Sequence, residues 1–231
     1  MHETYNPSIQ VLDLDQTMVL SSLPSLLPSD KTSTVGIIGN SHSGILACMN
    51  LYTIATSSNS REKRDVRIIN FQRREILFAE YREDGIVWDN SGLKGRTADW
   101  AKEHMVDHPS DKIQQIRFDK SSESEEEIYR KYLPECTHLI CAIGYDPSPL
   151  PQITINNKKV KQEDLEFDMH TSGFTLASEE GKKERVQGLY GTGIAFPEET
   201  EDPEGHVEAA VGFAKFMKFG ERVKGEWGQV V

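Results

Sequence analysis

The pattern of apolar and polar residues predicts that strands and helices alternate along the chain. A short apolar run at residues 35–38, bounded by glycine, is typical of a buried parallel strand. Residues 45–54 carry apolar side chains at helical spacing, and the β-branched run at 66–71 predicts a second strand. Together they predict a βαβ unit with a helix that begins near Ser41 and two adjacent, parallel strands.

The alternation continues in the rest of the chain. The proline- and serine-rich start, residues 1–33, has no period and predicts a connecting arm outside the core. We therefore expect an arm (1–33), a first domain (34–146) and a second (147–231). The other predicted elements are a strand pair around Asp84 and Gly85, a helix at 97–105, a strand at 113–118, a helix at 122–133, a strand at 137–145, a hairpin at 153–160, a strand at 186–196 and a helix at about 205–219.

Composition and charge exclude several classes of protein. The net charge of −11 and the lack of a basic patch argue against nucleic-acid binding. The chain has neither an apolar run long enough to span a membrane nor a leader pattern, so a cytoplasmic location is expected. Cys48, Cys136 and Cys141 form no CxxC pair, and His104 and His108 lack a third ligand. We therefore predict no disulfide framework, redox dithiol or metal site.

The turn of the βαβ unit carries the strongest candidate chemistry. In Gly39-x-Ser41-x-x-Gly44, the first glycine suits a tight turn, the serine a close approach to pyrophosphate, and the last glycine close helix packing. Free N–H groups at the helix start would bind the anion. Alternatively, a serine only caps a core helix, and the histidine is a structural donor. The predicted cofactor-binding residues are Gly39, Asn40, Ser41, His42, Ser43 and Gly44.

The end of the second predicted strand indicates which dinucleotide would bind. NAD sites usually carry Asp or Glu there, whereas a 2′-phosphate calls for arginine. In this chain Asn70 occupies the approximate acidic position and Arg73 and Arg74 follow it. The sequence therefore favours NADP(H); the alternative is two solvated arginines on a loop.

Four segments in this order resemble a known family: VGIIGNSHSGILACMNL, DNSGLKGRTADWA, LICAIGYDPSPLP and GLYGTGIAFPEE. They are similar to fungal FAD/NAD(P)-binding oxidoreductases of the pyridine nucleotide-disulfide oxidoreductase superfamily, nearest the flavin monooxygenase-like branch. The resemblance implies an α/β fold: a Rossmann-like NAD(P)-binding domain plus a C-terminal remnant of an FAD-binding lobe. It also implies that Gly144 and Tyr145 lie on the linker between the domains, and that Gly191 and Gly193 contact the flavin.

Departures from the family limit what the resemblance implies. Only 38 residues precede Gly39, so we expect the principal FAD-binding lobe to be absent, and Ile194 stands where an Asp commonly holds the flavin. These departures argue against FAD binding by this chain alone. The implied function is an NADPH-dependent flavoprotein oxidoreductase or monooxygenase-like protein; the alternative is a non-catalytic binding or assembly subunit. An incomplete lobe should expose an apolar face that a second copy or a partner protein covers. The sequence nominates no catalytic residue.

Overall fold

The computed structural model describes residues 2–118, 124–144, 149–177 and 183–227. The chain forms two compact units, which are described separately: residues 1–80 with 91–144, and residues 81–90 with 145–231. None of the helices in the described ranges is long and apolar enough to cross a membrane.

Helices and strands largely alternate up to residue 144, as the hydrophobic pattern predicts, whereas strands predominate beyond it. Up to residue 144 they are α1 (His2–Tyr5), β1 (Gln10–Leu12), α2 (Leu14–Met18), α3 (Leu23–Leu26), β2 (Ser33–Ile38), α4 (His42–Thr56), β3 (Val66–Gln72), β4 (Glu80–Arg82), β5 (Gly85–Val87), α5 (Gly95–Ala101), β6 (Ile113–Arg117), α6 (Glu125–Tyr132) and β7 (His138–Cys141). The remaining ones are β8 (Ile153–Ile155), β9 (Lys158–Val160), β10 (Leu165–Phe167), β11 (Gly173–Ala177), β12 (Lys183–Tyr190), β13 (Glu199–Glu201), β14 (Val207–Ala209) and α7 (Phe213–Trp227).

A parallel sheet of five strands forms the centre of the first unit, in the order β1-β7-β2-β3-β6. Val35 of β2 lies opposite Ile68 of β3, and α4 connects the two strands, which confirms the predicted βαβ unit. The fold is therefore α/β with a parallel sheet, consistent with a Rossmann-like fold.

Side chains of successive sheet residues pack into cores on opposite faces, because strand residues alternate in direction. Val35 and Ile37 belong to one buried cluster together with Ile45 of α4. Phe71 of β3 belongs to the other cluster, with Tyr129 of α6. Helices thus cover both faces, which explains why the central strands read as nearly continuous apolar runs.

The prediction that residues 1–33 lie outside the core is wrong. Strand β1 pairs with β7 at the edge of the sheet, and Leu12, Leu23 and Leu27 are buried in the first core cluster. Pro24 lies in the first turn of α3, where proline is tolerated. Elements of three to five residues are too short to show a hydrophobic period, so the sequence pattern did not reveal them.

The second unit is built from short antiparallel strands and α7. Strands β10, β11 and β12 form a sheet, and β8–β9 is the hairpin predicted at 153–160. The strand predicted at 186–196 ends at Tyr190. The helix predicted at 205–219 is wrong in position, because Val207–Ala209 pairs with β13 and α7 begins only at Phe213.

Candidate functional site

A cleft of about 400 Å³ lies at the carboxyl ends of the central strands in the first unit. After β2 the chain continues to β3 and β6 on one side, whereas β7 lies on the other side of β2. Such a reversal of strand order opens the crevice in which α/β sheets bind ligands. The cleft is lined by Ile38, Gly39, Asn40, Ser41, Phe71, Arg73, Arg74, Phe118, Ala142, Ile143 and Gly144.

Gly39 is required by the backbone at the exit of β2. Its φ of +115° is one that side chains rarely adopt, and a Cβ there would lie 2.2 Å from the carbonyl oxygen of Ala142. Its own N–H donates to the carbonyl of Phe71, at 3.0 Å. The turn is therefore held between the ends of β3 and β7, and glycine alone fits there.

Gly44 is required by close packing between α4 and the same turn. A Cβ at this position would lie 2.4 Å from the carbonyl oxygen of Gly39, closer than any ordinary contact. The two glycines thus have the two geometric roles that a dinucleotide-binding turn assigns to its first and last glycine.

The start of α4 lies at the cleft, since its N-cap residue, Ser41, lines it. Within the described part of the chain, the Ser41 side chain forms no capping hydrogen bond, so the structure does not support the capping alternative for this serine. The first helical turn consists of His42, Ser43 and Gly44, and none of them is an acid that would offset the positive end of the helix dipole. This end of α4 is suited to bind an anion.

The other predicted residues of the turn contact protein groups. The imidazole Nε2 of His42 lies 3.5 Å from the hydroxyl of Thr97 on α5. The side-chain amide of Asn40 donates to the backbone carbonyl of Arg74, at 2.7 Å. Asn40 therefore ties the glycine turn to the segment that carries the arginines.

Asn70 lies close to the end of β3, as the sequence interpretation put it, but its side chain is buried. Strand β3 continues to Gln72, so Asn70 lies within the strand, where it is fully buried. Its amide donates to the carbonyls of Ile37 and Gly39, at 3.3 and 2.9 Å, and its Oδ1 accepts from Gln72 at 2.8 Å. Asn70 is thus a structural residue that braces the glycine turn.

Arg73 and Arg74 both line the cleft but differ in their partners. A guanidinium nitrogen of Arg73 lies 3.1 Å from Oε1 of Glu125, and this hydrogen bond and charge raise the pKa of Arg73. Tyr129 donates to the same oxygen at 2.9 Å. Among the residues that the structure describes, the Arg74 guanidinium has no partner.

Two apolar residues of the cleft, Phe118 and Ile143, were missed by sequence reasoning. Phe118 follows β6 and lies against Phe71, with ring centroids 6.4 Å apart. Ala142 and Ile143 follow β7. The only signal for Phe118 and Ile143 is their place in the carboxyl-terminal part of a predicted strand, because the carboxyl ends of a parallel sheet meet at one edge.

The remaining predicted site residues are distributed differently. Gly144 lines the cleft with a φ of +95°. Tyr145 lies outside the described residues. Gly191 and Gly193 belong to the second unit, where a Cβ on Gly191 would lie 2.7 Å from the ring of Phe196. Gly193 has a φ of +90°, and its carbonyl accepts from the N–H of Phe196 at 3.2 Å.

A second cleft, of about 510 Å³, lies within the second unit and differs in charge. Carboxylates dominate its lining, which would repel the phosphates of a dinucleotide. Its charged residues are Asp84, Asp89, Glu198, Glu201, Asp202, Glu208, Lys215 and Lys218.

Among the described residues, neither a metal-ligand cluster nor the buried thiols of Cys48 and Cys136 offer a competing site. Among the described residues, no group of three or more His, Cys, Asp or Glu side chains could hold a metal ion. Burial raises the pKa of the Cys48 thiol and, at Cys136, raises the pKa to about 11. Both thiols are therefore protonated at neutral pH and are poor nucleophiles.

Comparison with curated proteins finds one that is similar in sequence to this chain. The chain is 41% identical over 224 residues, 95% of its length, to a protein named monooxygenase AgnR1 from Paecilomyces divaricatus. It spans about half of that relative's length, 54%. No family model matches the chain. No solved structure matches it.

Proposed function

We propose that the cleft of the first unit binds NADP(H), and that the chain is the NADPH-binding part of a monooxygenase-like flavoprotein oxidoreductase. The observation that carries the proposal is the turn of Gly39 and Gly44, where a Cβ on either residue would collide with backbone. The name of the 41% identical relative supports the oxidoreductase class.

The residues of the cleft fit a phosphorylated dinucleotide. The pyrophosphate would lie against the backbone of residues 39–44, with the start of α4 supplying N–H groups and partial positive charge. Arg73 and Arg74 would bind the 2′-phosphate, since guanidinium forks pair well with phosphate oxygens. No carboxylate belongs to the lining of this cleft as the structure describes it, although Glu125 pairs with the lining residue Arg73.

When bound, NADPH supplies a hydride, and the protein supplies binding and orientation. The glycine turn would fix the pyrophosphate, and the arginines would fix the 2′-phosphate. Gly144, which follows β7, leaves space beside the backbone, because no described atom lies within 4 Å of a Cβ added there. No side chain in the cleft is assigned a proton-transfer role.

For residues 147–231 we propose descent from the C-terminal portion of an FAD-binding lobe, on the motif resemblance alone. At Gly191 the ring of Phe196 takes up the space that a cofactor would need. The residues present therefore do not fit a flavin at this position. Exposed apolar side chains on this unit, among them Phe213 and Met217, support a partner protein or second copy. The cytoplasmic location stays a prediction.

Titration calorimetry with NADPH and NADH tests the proposal. We expect NADPH to bind about tenfold to hundredfold more tightly, because one charge-assisted arginine–phosphate pair contributes about 1.5–3 kcal/mol. Arg73→Ala combined with Arg74→Ala should remove the preference and leave NADH binding intact. A wild-type chain that binds neither nucleotide would contradict the proposal and favour the binding or assembly subunit.

A further inference from the structure

The two arginines of the cleft are adjacent in sequence but differ in their surroundings. Arg73 is paired with Glu125, whereas Arg74 has no partner among the described residues. We infer that Glu125 is a positioning residue that sets cofactor specificity: it holds Arg73 away from the 2′-phosphate and leaves Arg74 as the principal phosphate-binding group. This inference rests on the proposed NADP(H) site.

Glu125 is held in place from its own helix. Ser124 caps α6 through a reciprocal pair of hydrogen bonds with Glu127, which fixes the helix start at Glu125. One turn later, the hydroxyl of Tyr129 donates to Oε1 of Glu125, the same oxygen that Arg73 contacts. Tyr129 itself is buried between α6 and the sheet. The carboxylate is therefore a fixed acceptor at the rim of the cleft, not a freely rotating surface charge.

A 2′-phosphate and the Glu125 carboxylate compete for the same guanidinium. Binding of NADPH through Arg73 would break the pair with Glu125 and bring two anionic groups to one cation. Because Arg73 is largely exposed, the pair is weak, and Glu125 tunes phosphate binding without blocking it. NADH carries no 2′-phosphate, so its binding should not change when the Glu125 carboxylate is removed.

The test compares Glu125→Gln with Glu126→Gln, its matched control. Glu126 is the next residue of α6, carries the same charge and pairs with Arg130 on its own helix. We expect Glu125→Gln to tighten NADPH binding about threefold to fivefold, the upper part of the range of an exposed ion pair, and to change NADH binding less than about twofold. The gain should shrink at high salt. Glu126→Gln should leave the NADPH/NADH ratio unchanged.

A double-mutant cycle identifies the route of the effect. In an Arg73→Ala background, Glu125→Gln should no longer change NADPH binding, because the competed group is gone. Arg73→Ala alone should weaken NADPH binding less than Arg74→Ala does. Thermal unfolding of each variant checks that it folds.

The failures of the two proposals are distinguishable. If the wild type binds NADPH preferentially but Glu125→Gln behaves like Glu126→Gln, or still acts without Arg73, the role of Glu125 is wrong and the NADP(H) site stands. If the wild type binds neither nucleotide, the proposed site and this inference are both overturned.

Discussion

Two glycine-rich segments of this protein look alike in sequence and differ in structure. In GNSHSG, residues 39–44, an added Cβ at either glycine would collide with backbone atoms. In GLYGTG, residues 188–193, a Cβ at the middle glycine, Gly191, would collide with an aromatic side chain, that of Phe196. The first segment borders an open cleft with two arginines, and the second packs against a ring of its own unit.

The difference shows that closely spaced glycines have two separate physical causes. At Gly39 and Gly44 the backbone packs against backbone, so N–H groups and the helix start can face the cleft. This arrangement suits a phosphate. A ring over a glycine fills the space with apolar atoms and leaves none for a ligand. The spacing of the glycines does not distinguish these two cases. They are distinguished by the atoms that an added Cβ would contact.

Breaking the first segment should have the largest effect. In Gly44→Leu the new side chain would be forced between α4 and the turn, where even a Cβ would lie 2.4 Å from the Gly39 oxygen. We expect binding of NADPH and NADH to fall at least about a hundredfold, about 2.7 kcal/mol, measured by titration calorimetry. The matched control is Gly220→Ala in α7, where no described atom lies within 4 Å of the new Cβ. Equal binding by both variants would contradict the account.

The buried brace of the same segment gives a second test. Asn70→Asp keeps the shape but directs a carboxylate at the carbonyl oxygens of Ile37 and Gly39. We expect a loss of about 2–3 kcal/mol in the free energy of unfolding, from denaturant titration, and no gain in NADH preference. Asn59→Asp is the control, because its Oδ1 accepts from the N–H of Arg61 and a carboxylate can do the same. A stable Asn70→Asp variant that prefers NADH would restore Asn70 as the ribose-binding position.

The second segment should respond to packing instead of to cofactor. Gly191→Ala should lower the free energy of unfolding by about 1–2 kcal/mol, because the methyl group meets the ring of Phe196. In a Phe196→Ala background, Gly191→Ala should lower the free energy of unfolding clearly less. Nucleotide binding should change less than about twofold. If chemical denaturation gives the same loss in the free energy of unfolding with and without Phe196, contact with Phe196 does not explain why glycine is required at residue 191.

Elements with a local signal, such as an apolar run, a helical period or a hairpin turn, could be predicted from the sequence, whereas short elements placed by tertiary pairing could not. The βαβ unit follows from a glycine-bounded apolar run at 35–38, a helical period over 45–54 and a β-branched run at 66–71. Strand β1 has only three residues and is placed in the sheet by its pairing with β7. No local sequence pattern reveals this pairing. In residues 205–212, the apolar spacing suits a helix, but pairing with β13 makes Val207–Ala209 a strand. Tertiary pairing decided both cases.

The site was predictable to the extent that its geometry is local. Gly39 and Gly44 act within one turn, so their spacing carried the information. The bracing role of Asn70 was not predictable, because its burial and its hydrogen bonds to the carbonyls of Ile37 and Gly39 depend on the neighbouring strand β2 and its turn. The pairing of Arg73 with Glu125 joins residues 52 positions apart in the chain, and only the fold brings them together.

We expect a dinucleotide to bind at the first glycine segment and not at the second. Amide chemical shifts of the isotope-labelled chain, recorded during titration with NADPH, distinguish the two segments. The N–H resonances of Gly39, Gly44 and Gly144 should shift with saturation, whereas those of Gly191 and Gly193 should stay in place. Shifts confined to Gly191 and Gly193, or no shifts at saturating NADPH, would contradict this expectation.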